Sequence, residues 1–274
     1  MPLGNLAQRS ITGILFAIAV IGSIYWHPII QTVIFSIFIG LGLWEFLRLF
    51  EKDERIQLAV IPSFILGAIL FFFLIENLFF NPEINALVFI FPLFFLFAAS
   101  ELWRKKSDPI LNIAVSSFGV LYLVIPFYLS IEMNFHDESK LPLVAGMFLL
   151  IWTNDTCAYF IGRAFGKKKL FERISPKKTW EGTLGGIVFT LFVGFFIGTF
   201  INQGSTFFWM VAAVIIAPCS IYGDLLESLF KRSLNIKDSG NILPGHGGIL
   251  DRFDAVLFAV PFFYCWTHIY SFLA

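Results

Sequence analysis

The stretches TLGGIVFTLFVGFFIGTFIN, residues 183–202, and STFFWMVAAVIIAPCSIYGDLL, residues 205–226, are separated only by Gln203-Gly204. Each is about 20 residues long, enough to cross the hydrocarbon of a bilayer as a helix. Neither shows the two-residue alternation of an outer-membrane barrel strand. Working outward, seven further apolar stretches of this kind stand at 10–26, 29–49, 57–75, 84–102, 110–131, 141–162 and 255–273. The sequence therefore predicts an all-α polytopic membrane protein of about nine transmembrane helices.

Composition agrees. Of 274 residues, 58% are hydrophobic and 14% charged, and 36 are phenylalanine. An ordinary soluble domain is about 45–50% apolar and about 25% charged. Soluble, nucleic-acid-binding and disulfide-scaffold classes are excluded on this ground. Cys157, Cys219 and Cys265 lie far apart in apolar runs, a pattern of buried or lipid-facing thiols. The first apolar run lacks a small-residue cleavage site and reads as a first span.

The formal net charge is zero, yet the charges are unevenly placed. With the amino terminus in the cytosol, the inside segments collect Arg9; Arg48, Lys52 and Arg55; Arg104, Lys105 and Lys106; the run from Arg163 to Lys178; and Lys231, Arg232, Lys237 and Arg252. The outside loops hold only Lys140 among the basic residues, beside Glu76, Glu83, Glu132, Asp137 and Glu138. This split orients the chain, with its carboxyl terminus on the far side. Residues 1–140 read as a transmembrane scaffold. Residues 141–274 read as a catalytic region with cytosolic loops at 163–182 and 227–254.

Two segments carry chemistry. The first, WTNDTCAYFIGRAFGKKKLFERISPKKTWEGTLGG from Trp152 to Gly186, sets Asn154 and Asp155 near the end of an apolar span, where an ionisable group needs a partner or a watery cavity. Lys177 and Lys178 precede a helix start at Thr179, a suitable phosphate site because free backbone N–H groups meet positive charge there. The second runs from Gly223 to Asp254, GDLLESLFKRSLNIKDSGNILPGHGGILDRFD. Asp224, Glu227 and Ser228 share a helix face, as do Asp251 and Asp254. Carboxylates brought together from two elements suit a hard cation such as Mg²⁺. Between them Pro244-Gly245-His246-Gly247-Gly248 forms a compact turn that an anion can approach closely. The ensemble suits phosphoryl or nucleotidyl transfer, where positioning and charge stabilisation do most of the work.

The run Ser228-Leu229-Phe230-Lys231-Arg232, then Lys237-Asp238, Gly240, Leu243-Pro244, His246-Gly247-Gly248 and Asp251-Arg252-Phe253-Asp254 resembles the signature of the phosphatidate cytidylyltransferases, the CDP-diacylglycerol synthases. Upstream, Asn154-Asp155, Phe165-Gly166-Lys167, Ile174-Ser175-Pro176-Lys177-Lys178-Thr179 and Glu181-Gly182 are also similar to that family. The resemblance implies CTP plus phosphatidate giving CDP-diacylglycerol and pyrophosphate, in a homodimer of the cell membrane with its active site facing the cytosol. It implies metal ligands at Asp224 and Asp251, holding Mg²⁺ with a monovalent cation such as K⁺ beside it.

In that reading Asn154, Asp155, Lys177, Lys178, Ser228, Lys231, Arg232, Gly247, Gly248 and Arg252 bind substrate. Lys237, Asp238 and His246 are the catalytic candidates: Asp238 orients Lys237 or joins the metal shell, and His246 contacts a phosphate or supports its turn. A lateral opening between spans admits the lipid. The Asp-Gly and Ala-Arg pattern of CDP-alcohol phosphotransferases is missing, and the polar groups gather at one face instead of mid-bilayer as a transporter would have them.

Overall fold

A computed structural model describes the chain over residues 5–51, 53, 55–80, 87–135, 137–236, 240 and 247–273. The apolar stretches form α1 (Asn5–Trp26), α2 (Pro28–Phe50), α3 (Val60–Phe79), α4 (Leu87–Arg104), α5 (Pro109–Phe135), α6 (Leu143–Phe165), α7 (Trp180–Phe196), α8 (Thr206–Ser233) and α9 (Leu250–Leu273). Local chemistry sets several starts. Pro28 occupies the first turn of α2 after His27, whose ring accepts from Ile29 N–H at 3.2 Å. Thr179 caps α7, its Oγ1 accepting from Gly182 N–H at 3.2 Å, as the sequence predicts. The last turn of α7 widens at Ile197–Ile201.

Among the described residues, seven helices are long and apolar enough to cross a membrane: α2, α3, α5, α6, α7 with its wide turn, α8 and α9. The chain is an all-α polytopic membrane protein. Phe72, Phe91, Phe95, Phe192 and Phe200 point outward and are exposed, as lipid-facing side chains should be. Inward, Phe16, Phe38, Phe127 and Phe253 meet as rings from α1, α2, α5 and α9, with Phe38 and Phe253 centroids 5.1 Å apart. Small residues bring α8 against α9: a Cβ at Gly223 would stand 2.4 Å from the Asp254 carbonyl oxygen.

The connections fall at two ends. Asn134 Nδ2 donates to the Ile24 carbonyl and to Gln31 Oε1, both at 3.0 Å, and Asn202 exchanges bonds with Leu141 N–H and C=O. These contacts gather the α1–α2, α5–α6 and α7–α8 connections at one end. At the other, Arg104 donates to the carbonyls of Gln57 and Leu58, and Asn112 Oδ1 accepts from Gln57 N–H at 2.8 Å. Lys52 and Glu83 lie outside the described residues.

Three expectations are corrected. Helix α8 continues past 226 to Ser233, so the loop expected from 227 starts later: Glu227 and Ser228 share a helix face with Asp224 as their spacing predicts, and Lys231 and Arg232 stand on the same helix. The i,i+4 pair Glu227–Lys231, 2.8 Å, and the basic last turn both favour that extension. Helix α9 starts at Leu250, ahead of the apolar run expected from 255, and Asp251 and Asp254 stand in its first turns as their spacing predicts. The 163–182 loop contains an antiparallel hairpin, β1 (Lys169–Phe171) and β2 (Ser175–Thr179), pairing Lys169 with Thr179 and Phe171 with Ser175 around an irregularity. The Glu181 carboxylate accepts from Lys167 and Lys168 N–H, tying the hairpin's entry to the first turn of α7.

Candidate active site

Helices α6, α8 and α9 and the β1–β2 hairpin enclose a cavity of about 660 Å³. Its acidic wall is Asp155 from α6, Asp224 from α8, and Asp251 and Asp254 from α9; its basic wall is Arg163, Lys169, Lys177 and Lys178. A second cavity, about 340 Å³, opens between α1, α6 and α9, lined by Phe16, Ile151, Trp152, Val256 and Arg252. Asp155, Asp251 and Asp254 line both cavities. The larger is rich in lysine and reaches the hairpin; the smaller sets Phe16, Ile151, Trp152 and Val256 beside Arg252 and the shared carboxylates.

Several of the polar groups are held by an identifiable neighbour. Lys178 Nζ lies 2.6 Å from Asp224 Oδ2, and Ser228 Oγ donates to Asp224 Oδ1 at 3.3 Å. Lys231 bridges Glu227 Oε2 at 2.8 Å and Asp251 Oδ1 at 2.6 Å, with only 11% of its side chain exposed. Gly248 N–H donates to Asp251 Oδ2 at 3.1 Å, and Gly247 turns the chain there at φ +85°. Asn154 is fully buried and donates to Ser220 Oγ at 2.8 Å. Removing Lys231 would strand two carboxylates, a change of about 3–5 kcal/mol for a buried pair.

The sequence-predicted residues thus separate. Asn154, Asp155, Lys177, Lys178, Asp224 and Asp251 stand together around the larger cavity, and Arg252 on the smaller. Lys231, Ser228 and Gly248 act behind the acidic wall, holding Asp251 or Asp224. Arg232 is exposed and donates to the carbonyls of Ile174 and Ile236, each at 3.4 Å. Lys237, Asp238, Pro244, Gly245 and His246 lie outside the described residues.

Sequence reasoning left Asp254 and Glu227 out of the site, although their spacing to Asp251 and Asp224 was in view. It also missed Glu45 of α2, which accepts from Ile249 N–H at 2.6 Å and Leu250 N–H at 3.2 Å. The available signal was a carboxylate inside an apolar span.

The donor set can be tested for a metal. Among the described residues no three acidic, histidine or cysteine side chains form a ready cage. Magnesium rarely needs one, because it is commonly held by one or two carboxylates with phosphate oxygens and water completing the shell. Asp224 and Asp251 on one cavity, hard oxygen donors from two helices, fit that mode. Glu227 Oε1 and Asn154 Oδ1 are buried acceptors without a hydrogen-bond partner among the described residues, so the wall carries a surplus of acceptors.

Fold and site define a polytopic helical membrane protein whose charged groups meet at one end of the bundle, around a cavity suited to phosphate anions. The model of the cytidylyltransferase family matches residues 7–270, and the chain belongs to that family. It is similar to the phosphatidate cytidylyltransferase of Bacillus subtilis, 30% identical over 97% of this chain and 99% of that protein. The enzyme of that name from Pseudomonas aeruginosa is 30% identical over 94% of this chain and 95% of its own. That from Haemophilus influenzae is 39% identical over 60% of this chain and 59% of its own.

Proposed function

We propose that this chain transfers the cytidylyl group of CTP to phosphatidate, giving CDP-diacylglycerol and pyrophosphate. The observation that carries the reading is the junction of the two cavities. A lysine-rich chamber suits a nucleoside triphosphate, a cavity that sets Phe16, Ile151, Trp152 and Val256 beside Arg252 suits an acyl-bearing phosphate lipid, and both end on Asp155, Asp251 and Asp254. Family membership and the two near-full-length relatives support the same activity.

In the reaction an anionic oxygen of the phosphatidate phosphate attacks the α-phosphorus of CTP. The bond from that phosphorus to the bridging oxygen breaks, and pyrophosphate leaves with its electron pair. The nucleophile is already ionised, so no strong base is required. The obstacle is repulsion: two unit charges about 4 Å apart repel by about 4 kcal/mol at an effective dielectric of 20. Lys169, Lys177, Lys178 and Arg163 offset it on the nucleotide side, and Arg252 draws the lipid phosphate into the smaller cavity. Asp224 and Asp251 would hold Mg²⁺, which would supply positive charge to the phosphates. K⁺ is the expected companion cation. Lys231 and Gly248 keep Asp251 turned toward the chamber.

The same reading takes all nine helices as spans, the amino terminus and the active site at the cytosolic face of the cell membrane, and the carboxyl terminus opposite. The interlocked loops at the two ends of the bundle support this alternation. Helices α1–α5 then serve as scaffold and residues 141–274 as the catalytic region, in a homodimer whose mass light scattering in detergent would report. Purified protein in mixed micelles should release pyrophosphate only when CTP, Mg²⁺ and phosphatidate are all present. Release without phosphatidate, or none with all three, would contradict the assignment.

A further inference from the structure

A buried carboxylate in the N-terminal helices has no place in the reading above. Glu45 lies on α2, only 3% exposed, in an otherwise apolar run. A charge there is costly unless good hydrogen bonds meet it. Glu45 Oε2 accepts from Ile249 N–H at 2.6 Å and from Leu250 N–H at 3.2 Å. These N–H groups open α9, where an intrahelical partner is lacking and the helix dipole favours negative charge. Charge-assisted bonds to backbone N–H are among the stronger hydrogen bonds. The next residue, Asp251, faces both cavities, and Asp254 stands one turn on.

Two further contacts place Glu45 in a built seat. Along the same face of α2, Phe38 packs on Phe253 of α9, and a Cβ at Gly42 would reach Ile249 at 3.6 Å. The other carboxylate oxygen faces Gly240, where an added Cβ would stand 2.5 Å from Oε1. A side chain at 240 would have to push aside a carboxylate already committed to two backbone N–H groups.

We infer that Glu45 is a positioning residue of the active site: by seating the amino terminus of α9 it fixes where Asp251 and Asp254 present their oxygens. The inference rests on the proposed cytidylyl transfer for its kinetic test. It gives the N-terminal helices a part in catalysis, since a residue 204 positions away from Ile249 in sequence sets the geometry of the acidic wall. The matching reason for glycine at 240 is close approach to that carboxylate.

The test compares Glu45→Ala, Glu45→Gln and Gly240→Ala in purified full-length protein with CTP, Mg²⁺ and phosphatidate. Glu45→Ala should lower kcat about 10- to 100-fold, the range for groups that orient a site's ligands, while KM for CTP moves far less. The melting temperature in detergent should fall, because two buried N–H groups lose their acceptor, with the protein still folded at the assay temperature. Glu45→Gln keeps an acceptor oxygen of the same reach and should recover most of the turnover. Hydrogen exchange should quicken at Ile249 and Leu250 in Glu45→Ala and not in the core of α5. Parental kcat in Glu45→Ala, or a loss that Glu45→Gln does not recover, overturns the inference. Should Glu45→Ala not fold, Gly240→Ala carries the test: the same loss is expected, and normal turnover overturns it. A parent protein inactive with both substrates would strike the functional reading alone, leaving the exchange at Ile249 and Leu250 to decide the positioning role.

Discussion

The two ends of the bundle use polar side chains in opposite ways. At the α1–α2 and α5–α6 end, Gln31, Ser130 and Asn134 are buried and spend their hydrogen bonds on one another and on backbone carbonyls. At the α6–α9 end, four carboxylates crowd one cavity, two lysines each bind an oxygen of Asp224 or Asp251, and buried acceptors are left over. The first arrangement satisfies polar groups in an apolar medium and contributes stability. The second crowds carboxylates and cations onto one cavity and leaves buried acceptors over, which costs stability and suits a site. Polar content alone therefore does not mark function within a membrane bundle, nor do buried acceptors alone, since Glu101 and Ser116 hold them away from the cavity; carboxylates and lysines gathered on one cavity do.

Substitutions can break or sharpen that contrast. The largest effect is expected at the acidic wall. Asp224→Asn or Asp251→Asn should lower turnover by about 10³-fold, the scale of losing a group that stabilises transition-state charge, while the protein still folds. Near-parental turnover in either would remove the metal-ligand role. Next is Lys178→Ala, which removes the cation beside Asp224 and should cut kcat/KM for CTP about 10²-fold. An unchanged value would mean that Lys178 only balances Asp224. Arg252→Ala should raise KM for phosphatidate about 10-fold, as for one hydrogen bond to a charged group, with KM for CTP little changed. A rise for CTP instead would reverse the assignment of the two cavities. The smallest kinetic effect belongs to the far end: Asn134→Ala leaves Gln31 Oε1 and the Ile24 carbonyl without that donor and should cost about 1–3 kcal/mol of stability. Its kcat should remain parental; a fall like that of Lys178→Ala would erase the distinction between the ends.

Much of this was legible in the chain because membrane helices are written locally. Long apolar runs gave the spans, and Thr179 followed by Glu181 gave the start of α7 that the cap geometry bears out. Boundaries failed where hydropathy and backbone part company. Helix α8 leaves its apolar run near residue 226 but continues to Ser233, because the charged residues that end the hydropathy signal also pair along the helix. The hairpin at Lys169–Thr179 escaped notice because its strands are short and polar. Within the site, sequence supplied Asp155, Asp224, Asp251 and the lysines as residue types, but not their partners. The i,i+4 spacing pairs Lys231 with Glu227, but nothing local indicates that Lys231 also reaches Asp251, that Asp254 faces two cavities, or that Glu45 reaches the start of α9. Those facts arise from packing between segments far apart in the chain.

The central claim is that nucleotide and lipid meet at the carboxylates shared by the two cavities. CTP labelled at its α-phosphate, incubated with Mg²⁺, phosphatidate and purified protein, tests it most directly. The label should pass into the lipid extract with the parent protein, stay in the aqueous phase with Asp251→Asn, and stay aqueous for both when the γ-phosphate is labelled instead. Label from the γ-phosphate in the lipid, or α-label transferred equally by Asp251→Asn, would contradict it.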